Sequence, residues 1–213
     1  MNSMIEVVVF CSFIFALTLF LAPFYLNKSS MKTKKEKRGN KKILLLDHVE
    51  KGGVINLSSV GVSLDQFDVE VKSRNLFKEG SITWNQLECD SGESRIWISF
   101  DSLNPENISV NLKKIRLADL QLSVENLAHM DKEGESVIVY NSRNYIYKRG
   151  GDTLFYKDGL DENFERLAYW QFKTLDGSYS IDIEKWNSGG IDVYLSESIS
   201  LSNIIIYKTS EKL

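Results

Sequence analysis

From residue 54 onward apolar and polar residues alternate with a period of two, and this pattern constrains the fold more than any other feature of the chain. "FDVEVKS", "RIWISF", "ISVNL", "SVIVY", "YIYK", "SIDIEKW", "IDVYL" and "NIIIY" each read as a short strand rich in β-branched and aromatic residues. Turn formers separate them: Lys78-Glu79-Gly80, Asp90-Ser91-Gly92, Asn104-Pro105, Arg149-Gly150-Gly151, Asp176-Gly177 and Ser188-Gly189-Gly190. Short strands joined by polar turns predict antiparallel meanders rather than a βαβ sheet.

The pattern is written twice. "ITWNQLECDSGESRIWISF", Ile82 to Phe100, is echoed by "AYWQFKTLDGSYSIDIEKW", Ala168 to Trp186. "ISVNLKKIRLADLQL" lines up with "IDVYLSESISLSNIII" after one insertion, and a strand pair precedes each hairpin. The order strand pair, Trp hairpin, alternating strand and "L-[AS]-[DN]-[LI]" strand thus occurs from about Gly53 to Leu122 and from about Ser136 to Tyr207. The expected fold is an all-β soluble region built of two tandem, similar antiparallel β-meander repeats, 43–122 and 136–213. "SVENLAHMDKEGE", 123–135, is the linker between them, with a helical turn capped by Ser123. Trp84, Trp97, Trp170 and Trp186 are the large core contributors, packing being the simpler role than ligand stacking.

These residues carry a resemblance. Trp84, Leu87, Trp97, Tyr140, Tyr145, Trp170, Asp176, Gly177, Ile183, Glu184, Lys185 and Trp186 fall where the bacterial family called domain of unknown function 4178 has its motifs: a Trp hairpin, a Tyr-rich strand and a closing "dG-x-x-L-x-I-E-[RK]-W" strand. Gln86-Leu87 and Ile96-Trp97 depart from the family pattern, so the likeness is strongest in the second half. It implies an accessory or uncharacterised bacterial protein and supplies no reaction.

Ahead of the β region, 1–27 reads as a membrane anchor. Ile5 to Leu26 is an apolar run broken by Glu6 alone, and as a helix it extends roughly 33 Å, enough for a hydrocarbon core of about 30 Å. "MNSM" lacks the basic start of a secretory signal, and no small-residue cleavage pattern follows the run, so an uncleaved transmembrane α-helix is expected. The linker 28–42 holds Lys28, Lys32, Lys34, Lys35, Lys37, Arg38, Lys41 and Lys42 against Glu36. Basic residues stay on the cytoplasmic side, which predicts a single-pass protein of the cell membrane with its N-terminus outside and the β region in the cytoplasm. The same eight residues are the candidates for contact with anionic lipid. The whole chain carries 26 Lys and Arg against 29 Asp and Glu, so the β region is acidic, which argues against a nucleic-acid partner.

The chemistry on offer is sparse. The two cysteines, Cys11 in the apolar run and Cys89 in the β region, form no disulfide framework, and His48 and His129 lie in polar, turn-like surroundings. No metal site, cofactor motif, nucleophile elbow or phosphate loop is expected. The best carboxylate pair is Asp182 and Glu184, on one strand face and about 7 Å apart. Alternation predicts that both face water while Ile181 and Ile183 face the core.

Two functions follow from this reading. One is a membrane-tethered interaction or scaffold module that meets a protein partner at the membrane, with no catalytic residue. The alternative is a small-molecule binder or hydrolase with a cleft between the repeats, for which the candidate binding residues are Glu184, Asp182, Trp84, Trp97, Trp170, Trp186 and Tyr145. The discriminating observation is whether the Trp and Tyr side chains are buried within each repeat or converge on an open cleft with Glu184 at its wall.

Overall fold

The computed structural model describes residues 45–61, 66–133, 136–162 and 164–210. In chain order they form β1 (Val54–Leu57), β2 (Phe67–Glu79), β3 (Ile82–Asp90), β4 (Arg95–Phe100) and β5 (Ile108–Ile115), then α1 (Val124–Glu133). The second half supplies β6 (Val137–Tyr140), β7 (Arg143–Tyr156), β8 (Phe164–Lys173), β9 (Tyr179–Trp186), β10 (Ile191–Ile199) and β11 (Ile204–Lys208). All eleven strands join one antiparallel sheet, as the alternation predicts.

The sheet order is β11-β1-β2-β3-β4-β5-β10-β9-β8-β7-β6, and β2 also pairs with β7. That extra pairing closes the eight strands from β2 to β7 into a barrel. The two closing strands are long and divide their work. The first part of β2 pairs with β1 at Phe67 to Glu70, and its last turn of pleat meets β7 through Leu76↔Tyr156, Phe77↔Phe155 and Lys78↔Leu154. In the same way β7 begins against β6, from Arg143 to Ile146, and ends against β2. On the opposite side β5 and β10 pair from Ile108↔Ile199 to Ile115↔Val193, with a bulge after Leu195.

Two of the three apolar clusters lie outside this barrel, because alternation sends one side chain outward for each one sent inward, and the third, Phe77, Leu167 and Tyr169 with Trp84, Phe155 and Trp186, gathers on the inward side by the β2–β7 seam. In the first half Val69, Val71, Leu87, Cys89, Ile98, Ile108 and Val110 pack under Leu46, Val49, Ile55 and Leu57 from the segment that leads through β1. In the second half Tyr145, Trp170, Phe172, Ile181, Ile183 and Val193 pack under Leu120, Leu127 of α1 and Ile138 of β6. Each outer face is therefore sealed by its own cover, a strand pair on one side and a helix with a strand on the other.

Local chemistry explains two departures from the sequence reading. The segment expected to be a linker with one helical turn is a ten-residue helix: Ser123 Oγ accepts the Asn126 N–H at 3.3 Å and Asn126 Oδ1 accepts the Ser123 N–H at 2.8 Å, a reciprocal cap. The recurring "L-[AS]-[DN]-[LI]" begins with a 3₁₀ turn in each half, Leu117–Leu120 and Leu201–Asn203. Asp119 accepts the Arg116 N–H and Asn203 accepts the Ser200 N–H, both at 3.0 Å, so the shared Asp or Asn marks a cap.

Among the described residues no helix is long and apolar enough to cross a membrane. The expected anchor and basic linker, 1–42, lie outside the described residues.

Candidate functional site: the barrel lumen

The inward faces of the barrel strands enclose a cavity of about 190 Å³. Trp84 and Gln86 reach it from β3, Ser99 from β4, Ser109 and Asn111 from β5, Ser180, Asp182 and Glu184 from β9, Tyr169 and Gln171 from β8 and Arg149 from β7. Each of these strands turns its other face to an outer core: Leu87 and Cys89 on β3, Ile108 and Val110 on β5, Ile181 and Ile183 on β9. The rim is made by residues at strand ends, Ile82, Asp101, Asn107 and Lys173, and Ile82 is 51% exposed, so the cavity opens to solvent on that side.

One wall is an organised carboxylate. Asp182 Oδ1 accepts a hydrogen bond from Gln171 Nε2, and its Oδ2 accepts from Ser180 Oγ and from Ser196 Oγ, all at 2.8 Å. Ser196 also lies 2.9 Å from Asn111 Oδ1. Three neutral donors satisfy Asp182, as a carboxylate away from bulk water requires. Glu184, two residues on and on the same face, has no hydrogen bond and no ion pair among the described residues. Burial raises its pKa from the ordinary carboxylate value to about 8, with Asp182 and Asp192 adding to the effect and Lys114 opposing it. Lys114 is already engaged, its Nζ 2.5 Å from Asp192 Oδ1.

The opposite wall holds an orphan. Gln86 is 8% exposed and lines the cavity, yet its amide has no hydrogen-bond partner among the described residues. In the closed order of eight strands β3 and β9 are four steps apart in either direction. Gln86 therefore faces the Asp182 and Glu184 wall across the full width of the lumen.

Aromatic rings flank this polar belt. Trp84 stacks on Phe77 at 5.1 Å, its direct cross-strand neighbour, and meets Tyr169 edge-on at 5.8 Å. The Arg149 guanidinium sits 5.4 Å from both the Trp84 and the Tyr169 ring centres, a cation shared by two π faces. Tyr169 donates its hydroxyl to Glu79 at 2.7 Å. Gly151 makes room for that carboxylate, since a Cβ there would stand 2.6 Å from Glu79 Oε1.

The profile of the family described as Domain of unknown function (DUF4178) matches residues 61–201, about two thirds of the chain. The chain belongs to this family. The matched span contains all eight barrel strands and α1, and leaves β1 and β11 as flanking additions. No curated protein and no solved structure matches the chain.

Within the DUF4178 region the residues singled out from the sequence separate into three groups. Trp84, Asp182 and Glu184 come together at the cavity. Asp182 and Glu184 do lie opposite the core, as alternation predicts, and the barrel turns that face toward a lumen open to solvent, where both are partly exposed. Tyr145 and Trp170 belong to the second outer core; Tyr145 is fully buried, with Arg143 as its nearest charged neighbour, and Trp170 only touches the cavity wall. Trp97 packs on Tyr194 at 5.3 Å, outside the cavity lining, and Trp186 packs edge-on against Phe155 at 5.1 Å beside a surface groove that also takes in Lys78, Arg166 and Lys185.

The aligned pair Trp84 and Trp170 thus occupies opposite faces, one in the lumen and one in a core. A one-residue slip in matching two hairpins inverts every face, and the echo of the two Trp is out of register by that amount. Gln86, Asn111, Arg149, Tyr169, Gln171 and Ser196 escaped the sequence reading. Most of them sit at polar positions of alternating strands, which a solvent-facing strand shares, while Arg149-Gly150-Gly151, expected to be a turn, lies inside β7 and pairs with β8 after an irregularity between Tyr147 and Arg149.

Proposed function

We propose that this chain is a membrane-tethered binding domain whose barrel lumen holds a small polar molecule. The observation that carries the reading is the open lumen of about 190 Å³ on which Trp84, Tyr169, Gln86, Asp182 and Glu184 converge from three strands, Gln86 and Glu184 making no hydrogen bond among the described residues. The convergence of Trp84, Tyr169 and Glu184 on one opening favours the binder over the interaction module. An interaction role would rest on the edge strand β6, whose Val137 and Val139 are 58% and 64% exposed, and it would leave the lumen unexplained. Mass spectrometry of small molecules released from the gently purified full chain tests the reading. A compound should accompany the wild type and be lost from Ser109→Phe, which fills the lumen; no compound distinguishing the two proteins would end it.

The tether is the second part of the proposal. The length of the apolar run Ile5 to Leu26 and the basic residues Lys28 to Lys42 that follow it support one crossing with the barrel in the cytoplasm, near anionic lipid. Protease added outside intact cells should leave the barrel whole, and its digestion there would reverse the orientation.

Tandem duplication of one β unit is also part of this reading. The order β1 to β5 is mirrored by β6 to β10 about two antiparallel seams, β2–β7 and β5–β10, which is what a twofold relation between halves would produce. On this reading β2–β5 should superpose on β7–β10 through a rotation near 180°.

A further inference from the structure

A second cavity, a groove of about 700 Å³, runs over the outer wall of the barrel across β2, β7, β8 and β9. Lys78, Arg166 and Lys185 surround it, and Asp152 is the acid among the lining residues. Register places them. Lys78 pairs with Leu154 and Leu154 with Arg166, while in the next row Asp152 pairs with Ala168 and Ala168 with Lys185. Neighbouring strands lie about 4.8 Å apart, so Lys78 and Arg166 stand roughly 10 Å from each other, with Leu154 and Ala168 as an apolar floor between the cations. The face is the outer one, because Phe77, Leu167 and Trp186, the chain neighbours of the three cations, gather on the inward side.

These cations are idle in a β region that is acidic as a whole. Elsewhere on the surface Lys72, Arg95, Lys114 and Arg116 each hold a carboxylate at 3.0 Å or closer. Lys78, Arg166 and Lys185 are exposed and form no ion pair among the described residues; Lys185 acts on Glu125, at the start of α1, only through space. The groove also lies on the side from which the chain leaves the described part. Leu45 is the first described residue, and Arg74 holds the turn after it by donating to the Asp47 carbonyl oxygen. Arg74 and Lys78 point the same way from β2, since no irregularity separates them, and four residues of strand span about 13 Å. An apolar run and eight basic residues precede Leu45 in the sequence.

We infer that this groove docks the barrel on the anionic phospholipid headgroups of the bilayer, with Lys78, Arg166 and Lys185 meeting the headgroup phosphates. The assignment rests on the tether in the proposed function and adds the face that the barrel turns to the membrane. An acidic region is repelled by an anionic leaflet and approaches it only by a face that is locally positive. That attraction acts within about a Debye length, so the cations must stand at the surface, as these three do. In the closed order of eight strands β5 is four steps from β7, and the β5–β10 seam therefore faces away from the bilayer.

The test is lysine acetylation of the full chain in lipid nanodiscs, read residue by residue by peptide mass spectrometry at constant ionic strength. One set of discs is phosphatidylcholine alone and the other contains about one third phosphatidylglycerol. Lys78 and Lys185 should react about threefold or more slowly in the anionic discs, while the exposed Lys113 on β5 keeps its rate. Arg166→Glu should bring the ratio between the two disc types back to one at Lys78 and Lys185; the wild-type comparison stands even if this variant fails to fold. Equal slowing at Lys113 overturns the inference, since it would mark attraction of the whole surface, and so does a ratio unchanged by Arg166→Glu. Slowing reproduced by soluble glycerol 3-phosphate in phosphatidylcholine discs overturns it too, the groove then being a site for a free phosphate ester. A chain that enters the discs with Lys78 and Lys185 unprotected ends the docking and leaves the tether standing, whereas a chain that does not enter them ends both.

Discussion

Glu184 illustrates how a single residue's environment is fixed by closure of strands far from it in sequence. Ile181 and Ile183 point to the outer core, and the intervening Asp182 and Glu184 would be solvent-facing on an open sheet; only the β2–β7 pairing makes their side an interior. With its pKa raised to about 8, Glu184 keeps its proton in the folded state between roughly pH 4.5 and 8, while the unfolded chain gives its proton up. The folded state binds more protons in that window, so this group's contribution to stability is intact below the unfolded value and is lost as pH rises through 8. Glu184→Gln, which mimics the protonated acid, should melt close to wild type at pH 5.5 and above it at pH 9, each unit of raised pKa being worth about 1.4 kcal/mol. Calorimetric melts at the two pH values check this; a variant that melts lower at both would mean that the carboxylate is needed in the fold. Gly53 gives a second residue-scale test. A Cβ there would lie 2.6 Å from Val49 Cγ1, 2.9 Å from the Glu50 carbonyl oxygen and 3.1 Å from that of Lys208, and the two backbone atoms cannot step aside cheaply. Gly53→Ala should lower the urea midpoint by the equivalent of about 1–3 kcal/mol, the cost of overpacking a filled site.

At the scale of elements, α1 is the clearest departure from the sequence reading. "SVENLAHMDKEGE" shows weak apolar periodicity, but Leu127 is fully buried in the second outer core, and Ser123 with Asn126 closes the first turn. Leu127→Ala should cost about 2–5 kcal/mol, as for other buried leucines, and Ser123→Ala about 1 kcal/mol for the lost cap. Denaturant titration of both variants checks the ranking; equal effects would mean that α1 does not shield the core. The strands were legible because a half-buried strand writes its period directly into the chain, and "RIWISF", "SIDIEKW" and "NIIIY" all fall on strands β4, β9 and β11. What each polar face looks at was not legible, since a hydrophilic lumen and bulk water impose the same alternation. The site therefore appeared in the sequence as a pair of acids on one strand. Of its other half, Gln86 on β3 carried no local signal, and Arg149 on β7 stood before two glycines that read as a turn but lie within the strand. The Trp echo misled for a related reason: hairpins differing by one residue look alike as strings, yet present opposite faces.

For the whole molecule, the two places where the chain's halves meet are unequal. The β5–β10 seam runs from Ile108↔Ile199 to Ile115↔Val193, whereas the β2–β7 seam is confined to Leu76–Lys78 against Leu154–Tyr156. Side chains reinforce the shorter one. Phe77 and Phe155 pair across it at 5.0 Å, Trp84 and Trp186 pack on either side, and just beyond it Ser73 Oγ donates to Asp158 at 2.6 Å while the Asp158 N–H reaches Asn75 at 3.1 Å. Because each half also carries its own outer core, losing this seam need not unfold either half. Stability then varies across the barrel, and the β2–β7 seam is where it should open first. Phe155→Ala deletes the rings' contacts at the seam and should cost about 3–5 kcal/mol if the barrel unfolds as one unit. If the seam opens separately, the global loss is smaller and the effect is local. Amide exchange should then accelerate at Leu76–Lys78 and Leu154–Tyr156 while the β5–β10 amides keep their wild-type protection, and the lumen between them would gain a side entrance. Hydrogen exchange followed by peptide mass spectrometry distinguishes the two; uniform acceleration over all eight strands would show that the barrel closes and opens only as a whole.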